Sequence, residues 1–248
     1  WAGLTGVALE QVCGVQGASF CHNARFIAAA ATREAALAMA RLAVDEALAL
    51  QADGVDIIQF DEPAFNVYMQ DAVDWGVRAL ERAARGLTCT TAVHICYGYG
   101  IEANIQWKAS LGDQWRQYEQ IFPWINASSV QQVSLEFAGS RVPHEVLRLL
   151  PDKTLLVGAI EVLPGKLESA EEVAHNILEA TRHVDSARLI PCTNCGMAPL
   201  PAALARSKLQ ALGAGRRQSG TDFVITGHGG QRGGECAGIS GIKPVASV

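Results

Sequence analysis

The chain has 248 residues, 49% of them hydrophobic and 18% charged, enough apolar material for a sizeable core and too much for a disordered or collagen-like chain. Its 20 Lys and Arg against 25 Asp and Glu give a net charge of -5, which leaves no basic stripe for a phosphate backbone and argues against a nucleic-acid partner. Seven cysteines, an odd number, with no secretory segment and no apolar run near the roughly 20 residues of a bilayer span, argue against a disulfide scaffold or a membrane protein and for reduced thiols in the cytoplasm.

The first residue is Trp1, so the sequence reads as starting inside a longer protein. Residues 1–22 mix Gly with small apolar residues in no sustained period and read as a loop with one weak strand. From Phe26 to Gln51, Ala, Leu and Met surround a polar face carrying Arg33, Glu34, Arg41 and Asp45, which predicts a long amphipathic helix stopped at Asp53-Gly54. An alternation of strand and helix follows. Residues 54–60 form a β-branched run before a helix near Tyr68–Arg85. Residues 90–96 form a second strand, followed by a polar loop and a helix near Leu111–Phe122. Residues 130–136 form a third, before a short helix at His144–Leu150. Residues 154–160 form a fourth, before a helix over Ser169–His183 that opens with a capping box, Ser169 with Glu172. Residues 188–192 form a fifth, before a helix near Pro201–Leu212. Five βα units in series predict a parallel sheet with helical crossovers.

An open doubly wound sheet and a (β/α)8 barrel of the TIM type both answer to that alternation. No Gly-x-Gly-x-x-Gly turn follows any strand, which weakens the nucleotide-binding open sheet. Polar residues instead gather at the carboxyl ends of four strands, the rim on which barrel enzymes carry their chemistry. The fold class expected is therefore an α/β parallel barrel, incomplete, with five clear βα units. Residues 216–248 carry scattered Gly without an amphipathic period and are expected to be irregular; a phosphate-cradling loop there would lack its Gly-Lys-Ser/Thr ending.

Residues two apart on a strand share a face, so His94 and Cys96 project together from one strand end. An imidazole beside a thiolate suits zinc, although either residue alone is more often a packed core group. Glu136 at the next strand end and a Cys192-Thr193-Asn194-Cys195 loop after the fifth bring further donors to the same mouth. Cys192 and Cys195 also have the spacing of a redox pair, but that motif normally follows the first strand of a smaller unit. Asp61-Glu62-Pro63 ends its strand with two carboxylates suited to acid–base work, to a cation, or to a substrate amine.

Phe60-Asp61-Glu62-Pro63-Ala64, Val93-His94-Ile95-Cys96, Ser134-Leu135-Glu136 and Asn194-Cys195-Gly196 together resemble the signature of the carboxyl-terminal catalytic barrel of cobalamin-independent methionine synthases, over residues 26–214. The short single-barrel forms look closest, given the stretches 94–100 and 192–197. The resemblance implies a catalytic barrel domain over residues 1–215, with 216–248 as its Gly-rich tail. It implies a Zn2+ ion held by His94, Cys96, Glu136 and Cys195, a homocysteine amine held by Asp61, and methyl transfer from 5-methyltetrahydrofolate to the homocysteine thiol. Cys192 has no counterpart in that ligand set. Where long-form relatives carry a histidine as proton donor this chain has Leu163, which leaves Glu161 as the nearest titratable substitute. The first three barrel strands of the family have no recognisable match before residue 26. A methylated corrinoid protein as methyl donor, an inactive zinc-binding fragment, and a metal-free decarboxylase of the uroporphyrinogen decarboxylase kind are the competing readings.

Overall fold

The computed structural model of the chain describes residues 6–12, 15–21, 33–98 and 102–221. Apolar runs of four to seven residues, too short for stable helices, become strands, and the longer Ala- and Leu-rich stretches become helices. In chain order the elements are β1 (Gly6–Val12), β2 (Val15–Cys21), α1 (Arg33–Ala52), β3 (Ile57–Asp61), α2 (Val77–Ala83), β4 (Thr90–Ile95), α3 (Glu102–Ser110), α4 (Gln117–Ala127), β5 (Gln132–Leu135), β6 (Thr154–Ile160), α5 (Ala170–Thr181), β7 (Leu189–Thr193) and α6 (Ala202–Gln218). A 3-10 turn, Pro63–Asn66, follows β3. Helix α2 is entered through Met69–Asp71 and a π turn, Ala72–Gly76, and a 3-10 helix, His144–Leu149, joins β5 to β6.

The seven strands lie in one sheet in the order of the chain, β1 to β7. Strands β1 and β2 pair antiparallel, and every neighbour from β2 to β7 pairs parallel. A doubly wound sheet reverses its strand order at a switch point, whereas a barrel wall never does, so the sequential order selects the barrel type. Among the described residues no pairing joins β7 to β1, and the wall is an arc.

Strands covered on both faces carry little polar alternation, and here β5 is buried throughout and β6 from its second residue on. Helix α1 turns Ala40, Ala43 and Ala47 inward, a spacing that puts one face of a helix against the core. Helix α5 begins with the expected capping box: Ser169 Oγ accepts from Glu172 N–H and the Glu172 carboxylate accepts from Ser169 N–H. No described helix is long and apolar enough to cross a membrane.

Three expectations are corrected. Residues 6–12 and 15–21 form two antiparallel strands where a loop with one weak strand was read; Gly and Ala dilute the alternation of both strands. The loop after β4 contains α3, whose sequence Glu102–Ser110 has almost no amphipathic contrast, and the next helix starts at Gln117 instead of Leu111. Helix α6 continues to Gln218, past the expected limit near Leu212 and into the segment read as irregular from Arg216. Residues 222–248, with most of the Gly-rich segment, lie outside the described residues, as do residues 26–32 of the predicted first helix.

Candidate metal centre

Because β2 to β7 run parallel in sequential order, their carboxyl ends fall on one rim. Asp61 pairs with His94 across β3 and β4, and His94 pairs with Ser134 across β4 and β5. Residues in register point to the same face, so Ser134 Oγ lies 2.9 Å from His94 Nδ1. With the Nδ1 proton donated to that hydroxyl, Nε2 presents its lone pair to the rim, the usual way a protein fixes a ligating imidazole.

His94 Nε2 lies 3.3 Å from Cys195 Sγ, and Cys195 Sγ lies 3.4 Å from Cys96 Sγ. The donor atoms of His94, Cys96 and Cys195 all fall within 4.8 Å of one another. A tetrahedral ion with bonds of about 2.0 Å to nitrogen and about 2.3 Å to sulfur has donor–donor edges of roughly 3.5–3.8 Å. Two of the three edges are within a few tenths of an ångström of that, and two sulfurs with one imidazole are the donor class that zinc prefers, so the residues fit the ion. The electrostatics agree. The Cys96 thiol is pushed up by the hydrogen bond with Cys195, then by burial and the charge of Cys195. Burial disfavours the charged form of His94, yet the Cys96 thiolate, through its charge and a hydrogen bond, with Asp61 and Cys192 beyond it, raises the imidazole to about 10. A cation beside them would relieve the cost that burial and the neighbouring Cys195 place on the Cys96 thiolate.

The Cys195 loop is held by its neighbour. Asn194 Oδ1 accepts from the backbone N–H groups of Phe137 and Ala138, each at 3.1 Å, and Asn194 Nδ2 donates to Ala138 O at 2.7 Å. The side chain reaches past Gly158, where an added Cβ would stand 2.1 Å from Asn194 Oδ1 and 2.9 Å from Leu135 O. Glycine at 158 is therefore what lets β7 latch onto the end of β5.

The remaining residues singled out in the sequence are placed as follows. Glu136 is buried at the end of β5 but is not among the converging donors: Oε2 accepts from Tyr97 N–H at 2.9 Å, and Oε1 from Lys108 Nζ at 3.2 Å. Asp61 is half-buried and accepts from Gln59 Nε2 at 2.9 Å. Its neighbour Glu62 is turned inward, 1% exposed, with Oε2 unpartnered, and burial followed by the charge of Asp61 pushes its carboxyl well up. The paired carboxylates are therefore split between mouth and interior. Glu161 follows Ile160, whose carbonyl accepts from Asn194 N–H at 2.8 Å, so it stands beside the Cys195 loop. Its carboxylate is paired with Lys166 at 2.5 Å and rests on Gly139, where an added Cβ would sit 2.0 Å from the carboxyl carbon. Gly139 has φ of +66°, so both space and backbone call for glycine there. Glu161 N–H donates to Glu168, which forms a fully buried ion pair with Lys208 at 2.7 Å. Cys192 is buried in β7 and does not belong to the three-donor group.

Ser134, Asn194 and Lys108 were not assigned roles from the sequence. Ser134 had a readable signal, since it precedes Glu136 by two on the same strand and so shares its face. Asn194 and Lys108 had none: their partners lie 56 and 28 residues away.

A sequence profile described as MYG1_exonuc, an uncharacterised protein family (UPF0160), matches residues 1–44, a span too short to assign the chain. A methionine synthase of Saccharolobus islandicus (strain Y.G.57.14 / Yellowstone #1) is 30% identical over 166 residues, 66% of this chain and 44% of that protein. A methionine synthase of Sulfolobus acidocaldarius is 25% identical over 177 residues, 71% of this chain and 47% of that protein. Among solved structures, a B12-independent methionine synthase from Shewanella sp. W3-18-1, in complex with selenomethionine, superposes with a TM-score of 0.73 at 52% identity, covering 75% of this chain and 55% of that one. The chain thus spans less than half the length of these curated relatives and just over half of the solved one.

Proposed function

The chain belongs to the cobalamin-independent methionine synthase family, and on that premise we propose that it carries the thiol-activating half of a methyl transfer that makes methionine from homocysteine. The observation that carries the reading is the convergence of His94, Cys96 and Cys195 within 4.8 Å at the carboxyl rim of a sequential parallel sheet. Zn2+ is the proposed ion, held by these three donors with Glu136 as the fourth; when bound, it keeps a thiol substrate deprotonated yet nucleophilic near neutral pH. Ser134 orients His94 for that role. Asp61, across the register from His94, is assigned the substrate ammonium. The selenomethionine bound by the Shewanella relative is an amino acid of the size and charge this assignment requires.

In the proposed reaction the homocysteine sulfur attacks the methyl carbon of 5-methyltetrahydrofolate, an S–C bond forms, the methyl C–N bond breaks, and the leaving nitrogen takes a proton. Glu161, beside the Cys195 loop, is assigned to deliver that proton, taking it up from solvent between turnovers. The catalytic unit is taken as the barrel wall, residues 1–215, in the reducing environment of the cytoplasm. The test offers homocysteine with 5-methyltetrahydrofolate or with a methylated corrinoid protein to the zinc-loaded chain and measures methionine. Product from the folate alone supports the proposal. Product from the corrinoid alone replaces the donor. Zinc bound without product from either marks a metal-binding fragment.

A further inference from the structure

Glu136 does not rest with the other donors because its carboxylate is already held at both oxygens. One accepts from Tyr97 N–H, the residue after Cys96, and the other from Lys108 Nζ, which also donates to Gly98 O at 3.0 Å and lies 5.6 Å from the centre of the Trp115 ring. The Glu136 backbone is fixed as well: its N–H donates to Tyr118 Oη, which in turn donates to Ile95 O. Only the side-chain torsions are free to change. The pair is largely out of water, with side-chain exposures of 19% for Lys108 and 10% for Glu136, so its charges are weakly screened.

We propose that Lys108 is a positioning residue that, together with Tyr97 N–H, competes with the ion for the Glu136 carboxylate and so weakens Glu136 as a ligand. Glu136 then has two destinations: the ion, or the cradle of Lys108 and Tyr97 N–H. A carboxylate leaving an ion in a buried rim would otherwise be stranded as an unpaired charge, and the cradle removes that penalty. The ammonium supplies this without joining the ligand set, because it has donors only. The inference rests on the metal assignment proposed above and adds to it a competitor for one ligand.

The experiment measures Zn2+ affinity of the whole chain by competition with a chromophoric chelator, in wild type, Lys108→Met, Lys108→Arg, Glu136→Ala and the double variant Lys108→Met/Glu136→Ala. Methionine keeps the length and packing of the lysine stem while deleting the charge. Lys108→Met should bind Zn2+ about tenfold more tightly, Lys108→Arg should stay within about twofold of wild type, and the gain should vanish in the Glu136→Ala background. Cobalt substitution gives a second readout: homocysteine should change the visible spectrum of wild type at lower concentration than that of Lys108→Met. A gain that persists without Glu136 would mean general repulsion between Lys108 and the ion and would overturn the proposal, as would unchanged or weaker binding in Lys108→Met. If wild type itself binds no Zn2+, the metal assignment falls together with this one, whereas tight wild-type binding with no effect of Lys108→Met removes this one alone.

Discussion

Replacing Asn194 by Ala removes a side chain that is 5% exposed and makes three hydrogen bonds to the end of β5. The Ala138 N–H keeps a second partner, Gly158 O at 2.9 Å, so the groups left short are Phe137 N–H and Ala138 C=O. Each buried group deprived of its partner costs about 1–3 kcal/mol, giving about 2–6 kcal/mol together. For a chain of this length about 1 kcal/mol corresponds to about 2–4 °C in Tm, so the melting temperature should fall by roughly 4–24 °C. The adjacent Cys195 loses its anchor at the same time, and Zn2+ affinity should drop at least about tenfold. Gly158→Ala drives a methyl into the same side chain, so it should lose the same bonds, and the double variant should be less destabilised than the sum of the singles. Thermal unfolding by circular dichroism and chelator competition read both effects. A Tm within about 1 °C of wild type, or additive single and double effects, would refute the latch.

The cysteines should separate cleanly: Cys96→Ala or Cys195→Ala loses Zn2+ affinity by orders of magnitude, while Cys192→Ala retains it, as metal content after dialysis would show. Asp61→Asn should weaken homocysteine binding about tenfold or more in calorimetry with zinc stoichiometry unchanged; parallel loss of zinc would assign Asp61 to the metal instead. Glu62 has a carboxyl raised above its ordinary value, so it favours the folded state at pH below that ordinary value and stabilises progressively less as pH rises toward its folded value. Between pH 5 and 8 the Tm of wild type should therefore fall relative to that of Glu62→Gln, at most by the one-proton slope of about 1.4 kcal/mol per pH unit. Parallel curves for the two proteins would contradict the buried placement of Glu62.

The strands around the site were legible because their runs are β-branched and bounded by Gly, Pro or polar residues, as at Ile57–Asp61 and Thr154–Ile160. The convergence of His94, Cys96 and Cys195 was legible for a related reason: period two fixes which side chains share a face, and parallel order brings the strand ends to one rim. What depends on a partner far along the chain was not legible. Helix α3 hid because it lacks an apolar stripe, and with it hid Lys108, whose hold on Glu136 spans 28 residues. The split between Asp61 and Glu62 continues the alternation of β3: adjacent strand residues face opposite sides, and Glu62 N–H, which reaches His94 O at 2.8 Å, extends the ladder with β4 by one residue.

Cys96 and Cys195 touch at 3.4 Å although 99 positions separate them along the chain. On the metal assignment proposed above, a polypeptide emerging from the ribosome would offer His94, Cys96 and Glu136 from β4 and β5 but not Cys195 until the seventh strand has been synthesised and laid in place. Loading with the ion would then be a late event in maturation that ties the middle of the arc to its last strand, so that metal starvation should be felt first as faster turnover of the newly made protein.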